Sequence, residues 1–411
     1  MIKHDISFGW RIETPIYATA FFAGNVFPMM HVLMPLWALE LTNSALIIGI
    51  IISCRQILPI FLSIHGGALL DRFGPRNVII WMGLVGGLCT GMFPVLHFIW
   101  AAMLLQIVTG FAETTNWIGV QSAVGTMLKG KPVYAGRMTA AARLGGTIGP
   151  VLVGVMWDTF GPYGGFLFLA LWIACGALTA SFLPRHSAQD LASDTSAGVR
   201  SEKKGLGLMV KVSDYRNTMR LLATSAIALV IMATFVRQTG SGVQSSFYGV
   251  WLSEELGLTG TTIGFLIGFG NLVSAVSALT IGPLTKRVAD YWLLLFMVGF
   301  AIVGVALTPM LEGLLLLSFA IGLRGVGQGL NLPLMISIAA RVVGPKIQGR
   351  VAALRISFNR LGSALFPIGM GALADAIGLE ASFYVIGLFG IVLIGGLAVW
   401  VFRSKDKFLV L

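Results

Sequence analysis

RLGGTIGPVLVGVMWDTFG at residues 143–161 and RLGSALFPIGMGALADAIG at residues 360–378 decide how this chain folds. Arg143, Pro150, Asp158 and Gly161 in the first stretch are matched by Arg360, Pro367, Asp375 and Gly378 in the second, at intervals of 7, 8 and 3 residues in both. Glu40, Gly49 and Gly67 repeat the lesson, since their spacings of 9 and 18 residues recur in Glu255, Gly264 and Gly282. Such agreement marks an internal duplication, so the two halves of the chain should share one topology.

Each quoted stretch belongs to an apolar segment long enough to cross a membrane, which takes about 20 helical residues. Lipid offers backbone groups no partners, so such segments must be helices. Twelve are predicted, at 16–39, 44–66, 78–97, 100–127, 134–157, 163–183, 219–248, 260–281, 291–310, 314–340, 351–374 and 381–402. The longest polar stretch, 184–217, separates six from six and predicts a linker between an N-terminal half at 1–183 and a C-terminal half at 218–411. The expected fold is an all-α membrane protein: twelve transmembrane helices in two pseudo-symmetric six-helix bundles around a central cavity.

Composition agrees. The 411 residues are 56% hydrophobic and 11% charged, against about 25% charged in soluble domains. Lys and Arg fall in the termini, in the even-to-odd connections, or inside spans, whereas the other connections hold Glu40, Asp158, Glu254, Glu255, Glu312, Asp375 and Glu380. Because cationic residues near span ends are retained in the cytoplasm, both termini are expected there, in a bacterial-type inner membrane. The net charge of +11 is therefore topogenic, with weak attraction to lipid headgroups, and no nucleic-acid partner is expected. Cys54, Cys89 and Cys175 are widely separated, which leaves neither a disulfide framework nor a metal site. Nothing groups a nucleophile, a base and an orienting residue, so neither an enzyme nor a cofactor is expected. Trp37, Trp100, Trp157 and Trp251 lie near span ends and read as interface anchors.

The connection after the second span, Gly67-Ala-Leu69-Leu-Asp71-Arg72-Phe-Gly74-Pro-Arg76, resembles the cytoplasmic signature loop of the major facilitator superfamily, whose twelve-helix pattern nearly all of the chain fits. Gly67 would let helices approach and Gly74 would permit the tight turn. The resemblance implies that Asp71, Arg72 and Arg76 latch the cytoplasmic side in one state. In the second half Gly282-Pro-Leu284-Thr-Lys286-Arg287 puts Lys286 where the acid would be, so the latch is asymmetric. Gly145, Gly149-Pro150 and Gly154 in span five look like the Gly-Pro signature of the superfamily's proton-linked antiporters, although Val153 replaces one expected glycine. They are candidate gating residues, and ordinary helix packing explains them equally well. Span four departs from the family in placing Gln106, not arginine, four residues before Gly110. In span ten Arg324 precedes Gln328-Gly329 one residue out of the family's register.

Five arginines lie deep in predicted spans: Arg55, Arg143, Arg237, Arg324 and Arg360, opposed at that depth by Glu113 alone. At about 2.5–3.5 kcal/mol each on insertion scales, they demand compensation. In the superfamily fold spans three, six, nine and twelve face outward, and here those four carry no charge within the predicted bounds. The arginines are therefore expected around a wet cavity, where planar guanidiniums suit a carboxylate or phosphate. Arg55, Arg237 and Arg324 have no counterpart in the opposite half and are the strongest substrate candidates. Arg143 and Arg360 are counterparts of each other, which leaves an architectural role open. Arg355 is expected to snorkel to the cytoplasm. His31 and Asn25 are candidate cavity residues. Glu113 reads either as a proton carrier or as a static partner of one arginine.

These readings make the chain a secondary transporter that alternates access to a central site and exports an organic anion or amphiphilic metabolite in exchange for protons. Uptake or exchange of such an anion, multidrug efflux, and a ligand-binding receptor without transport are the alternatives. The expected partners are a small anionic molecule, protons and membrane lipid, with one chain sufficient for function.

Overall fold

The computed structural model describes residues 10–128, 132–184, 219–342 and 345–404, without the side chains of 63–68, 71, 132, 220, 221, 340, 342, 345–350 and 353. The expected linker lies outside the described residues except for Pro184, and the side chain of Asp71 lies outside them too.

Every described element is helical, and together the helices build twelve spans. Span one joins Trp10–Ala23 to Val26–Leu41, and span two joins Ala45–Cys54 to the first part of Ile57–Met92. That last helix doubles back at Gly74, where φ is 75°, and its remainder is span three. Ile99–Met127 is span four. Pro132–Ser181 folds at Gly161, with φ 65°, into spans five and six. Ser225–Val236 and Gln238–Glu254 make span seven, Gly260–Ala278 span eight, Asp290–Ala306 span nine, Leu314–Val342 span ten, Pro345–Ile377 span eleven and Leu379–Arg403 span twelve.

The turns repeat one chemical solution. Gly74 and Gly161 take positive φ, which costs glycine nothing, and each precedes a proline, Pro75 or Pro162, whose fixed φ and missing N–H suit a helix start. Gly378, the counterpart of Gly161, also takes a positive φ of 90°, so the spacing that revealed the duplication reflects a shared turn.

Spans three, six, nine and twelve present apolar side chains outward, among them Trp81 and Leu88, Leu167 and Leu171, Phe296, and Leu388 and Val392. This is the stripe that lipid requires. Two tryptophan assignments need correcting. Trp100 is 74% exposed, as an anchor should be, but Trp37 and Trp251 are 1% and 4% exposed. Trp37 packs edge-on against His97 and Phe166, and Trp251 against Phe383. Both are core residues because their spans face the centre of the molecule.

The halves meet where span five crosses span eight and span two crosses span eleven. At these crossings a Cβ on Gly154 would strike Gly260, one on Gly264 would strike the Pro150 carbonyl, and one on Gly49 would strike that of Pro367. Pro150 has no N–H to give the carbonyl four residues earlier. That carbonyl, on Gly146, accepts instead from Asn271 Nδ2 of span eight at 2.9 Å. Near Pro367, the Ala364 carbonyl accepts from Ser53 Oγ of span two at 2.7 Å. Kinked helices in lipid are stable where neighbours satisfy the freed groups, and here the second half supplies the partner for the carbonyl that Pro150 frees. These cross-half contacts extend from the end that bears Asp158 and Asp375 inward to the level of Asn271 and Arg360.

Candidate substrate cavity

Arg55 interrupts span two. The helix Ala45–Cys54 stops at it and a new one starts at Ile57, and the Arg55 carbonyl rests against Gly110 of span four, where a Cβ has no room. Gln106, Gly110 and Glu113 follow the helical repeat, so span four turns an acceptor, a gap and a carboxylate toward Arg55. Arg55 forms an ion pair with Glu113 Oε2, donates to Gln106 Oε1 at 3.3 Å, and lies 5.6 Å from the Phe27 ring centroid. Gln106 of span four thus receives a guanidinium from span two.

Arg237 interrupts span seven in the same manner. It donates to Gln328 Oε1 at 3.1 Å and Asn359 Oδ1 at 2.5 Å. Its neighbour Gln238 donates to the Asn359 carbonyl and to Ser363 Oγ. Neutral oxygens therefore hold Arg237 in place without cancelling its charge.

Arg360 reaches from the second half into the first. Its guanidinium donates to Gln56 Oε1 at 2.7 Å and to Thr114 Oγ1 at 3.2 Å. Gln56 follows Arg55 in the chain and Thr114 follows Glu113, so Arg360 grips the Arg55–Glu113 pair by both of its neighbours.

Arg324 differs from these. It is 9% exposed, and among the described residues its side chain makes no hydrogen bond and no ion pair. Arg143 is half-buried and likewise unpaired among them.

The cavity is narrow in this conformation, about 20 Å³ within a cleft of about 320 Å³ that is continuous with solvent. Phe27, Met30, Met34 and Ile52 form its apolar wall, with His31, Arg55, Gln56, Gln106, Ser245 and Ser363 supplying polar groups. His31 packs edge-on against Phe27, with ring centroids 4.1 Å apart, and its Nε2 is enclosed without a partner among the described residues.

Of the residues singled out from sequence, the structure brings Arg55, His31 and Glu113 together around this cavity, with Arg360 gripping its first-half wall. Asn25 sits elsewhere. It is 2% exposed, its amide donates to the Phe21 carbonyl, and it packs on Gly145 and Gly146, so it mends the bend in span one. Gly149 lets span five approach Met29 of span one, and Gly154 lets it approach span eight. In the signature loop Gly67 is part of the span-two helix. Arg76 donates to the Ser181 carbonyl through Nε at 3.1 Å and through a terminal nitrogen at 2.8 Å, while Arg72 is exposed over Phe73. Neither of these two bonds to the second half among the described residues, so the expected latch is not engaged through them here. Sequence reasoning passed over Gln56, Thr114, Gln328 and Asn359. Their signal was present, since each is a polar side chain inside an apolar span next to, or a helical turn from, a buried charge.

Comparison with known proteins places this geometry. A family model described as Major Facilitator Superfamily matches residues 16–236 and 230–408. The chain is 25% identical to the "Multi-drug resistance efflux pump PmrA homolog" of Lactococcus lactis, over 95% of this chain and 93% of that protein. It is 22% identical to "Multidrug resistance protein MdtG" of Escherichia coli, over 97% and 96%. It is 24% identical to the "Uncharacterized MFS-type transporter YceJ" of Bacillus subtilis, over 82% and 83%. Among solved structures the nucleoside transporter NupG superposes with a TM-score of 0.76 at 14% identity, covering 94% of this chain and 99% of that one. A bacterial homologue of the lysosomal transporter Spinster, captured inward-facing and unoccupied, superposes at 0.71 with 98% of each chain covered. The twelve spans, the duplicated halves with a cavity between them, and a family match running through both halves make this chain a member of the Major Facilitator Superfamily, a multi-pass inner-membrane transporter.

Proposed function

We propose that the protein exports an amphiphilic organic anion in exchange for protons. The observation that carries this reading is the imbalance of interior charge. Glu113 is committed to Arg55, and Arg143, Arg237, Arg324 and Arg360 have no acidic partner among the described residues. A cavity of that sign attracts carboxylates and phosphates and repels cations. Its wall of Phe27, Met30, Met34 and Ile52 suits an apolar body behind the charged group.

With both termini and the 184–217 linker in the cytoplasm, the end closed by Asp158 and Asp375 faces outward and the conformation is open to the cytoplasm. Glu113 then carries the proton. Facing outward it takes one up and releases Arg55; facing inward it gives the proton to the cytoplasm and pairs with Arg55 again, the arrangement seen here. The halves, divided near 183 and 218, rock about the span two/eleven and five/eight crossings, and one chain suffices.

Proteoliposomes of known orientation test this. An imposed proton gradient should drive an organic anion against the direction of proton flow, whereas co-directional movement would establish uptake by symport. A second reading, multidrug efflux, is favoured by the names of two relatives. Transport of hydrophobic cations with no anion transported would select it.

A further inference from the structure

Three polar groups in the interior, one each on spans one, seven and ten, stand without partners among the described residues. Arg324 of span ten makes no bond among the described residues. Tyr248 of span seven is 1% exposed and its hydroxyl has no partner among the described residues. His31 Nε2 of span one is enclosed and also unpaired. Arg324 lies within electrostatic reach of both Tyr248 and His31, and Gly249, next to Tyr248, packs against the His31 carbonyl and Pro35. Ser241, Ser245 and Tyr248 share one face of span seven by helical repeat. That face meets the cavity at Ser245 and span ten at Gln328, which accepts from Ser241 Oγ at 3.3 Å.

Buried donors left unbonded cost about 1–3 kcal/mol each, and charged ones more, a cost that a ligand bonded to Arg324, Tyr248 and His31 would offset. We propose that Arg324, Tyr248 and His31 form the headgroup subsite for a single carboxylate, with the ligand's apolar body lying along Phe27, Met30, Met34 and Ile52. This deepens the export reading above and rests on it. Three of the other interior guanidiniums are engaged, Arg55 by Glu113, Arg237 by Gln328 and Asn359, and Arg360 by Gln56 and Thr114, and Arg143, half-buried and unpaired among the described residues, lies on span five. One guanidinium with its fork free, plus two neutral donors, matches the two oxygens and single charge of a carboxylate. A phosphate or dicarboxylate would call for a second uncommitted cation at this site. The substrate class that follows is a monocarboxylate with an aryl or alkyl body.

The purified full-length protein, titrated calorimetrically, tests the assignment with 4-phenylbutyrate, its neutral amide, phenyl phosphate and 4-phenylbutylamine. The carboxylate should bind at least about tenfold more tightly than the amide or the phosphate. Arg324→Gln should weaken it about 10- to 100-fold, and Tyr248→Phe about fivefold, as expected for hydrogen bonds to a charged group. Arg324→Lys should restore part of the loss. The melting temperature of the ligand-free protein should not fall in Arg324→Gln, because an unpaired interior cation is removed; a clear fall would make Arg324 structural and overturn the subsite. Carboxylate binding that survives Arg324→Gln within about twofold, yet is lost in Arg237→Gln, would overturn the subsite and leave anion export standing. Preference for the phosphate would overturn the monocarboxylate class. Preference for the amine would overturn the export reading itself.

Discussion

Asp158 and Asp375 occupy equivalent places in the two halves, and each carboxylate caps a helix that belongs to the other half. Asp158, at the end of span five, accepts from the Gly260 and Thr261 amides, both at 2.7 Å, and from Thr261 Oγ1. Asp375, at the end of span eleven, accepts from the Ala45 and Leu46 amides at 2.7 and 3.1 Å and from Ser44 Oγ at 2.8 Å. The first amides of a helix have no partner within it, and a carboxylate there also meets the positive end of the dipole. Each cap holds one span start against the opposite half, so the pair forms the clasp of the closed end.

A cap is worth about 0.5–2 kcal/mol relative to alanine, so replacing both with alanine should shift the equilibrium toward opening of this end by a factor of at least about 10. Spin labels at Asn43 and Glu255, on a background without Cys54, Cys89 and Cys175, would report it. A longer distance should gain population in the double variant and less in either single one. An unchanged distance distribution would mean that the glycine crossings alone keep this end shut.

The Arg55–Glu113 pair allows a sharper test, because removing one member of a buried pair costs about 3–5 kcal/mol, whereas replacing both with apolar groups costs little. Arg55→Met and Glu113→Ala should each lower the melting temperature well below that of the Arg55→Met/Glu113→Leu double variant. If Glu113 carries the proton, every one of these variants also loses gradient-driven flux. Glu113→Gln, which still offers Arg55 an acceptor, should keep anion exchange in the absence of a gradient. Retained gradient-driven flux in Glu113→Gln would reduce Glu113 to a static partner.

Arg360 tethers the halves only where Gln56 and Thr114 lie within reach of span eleven, as they do here. Arg360→Gln should therefore leave the fold intact and depopulate this conformation. Labels at the end opposite Asp158 and Asp375 would then show more of the closed arrangement. Arg143, its counterpart, is unpaired among the described residues, so Arg143→Gln should have a smaller effect.

The fold was legible because lipid makes a severe demand on sequence: span length, the absence of charge on spans three, six, nine and twelve, and the repeated intervals ending at Gly161 and Gly378 each follow from a single physical constraint. The site was legible in its charges alone. Asn25 was misread as a cavity residue because a polar side chain in a span looks the same whether it faces the cavity or mends its own backbone, here at the Phe21 carbonyl. Trp37 and Trp251 were misplaced because nearness to a span end does not say which way a side chain faces. Which arginine is free could not be read at all: Arg55 and Arg324 are alike in sequence, and only the approach of span four, bringing Glu113, separates them.

Pro150 and Asn271 supply the last test. The proline frees the Gly146 carbonyl, and Asn271 Nδ2 from the opposite half takes it up. Asn271→Leu should therefore cost about 0.6–2 kcal/mol, the range for hydrogen bonds inside membrane proteins, read as a lower midpoint in thermal unfolding. In a Pro150→Ala background the new amide at 150 can bond to Gly146 within its own helix, and the same Asn271→Leu change should then cost close to nothing. Equal costs in the two backgrounds would show that Asn271 acts through packing and not through the carbonyl that proline leaves open. Flux should respond differently from stability. A span five with its own hydrogen bond restored no longer depends on span eight at this point, so Pro150→Ala should raise the melting temperature while slowing the exchange between open and closed arrangements.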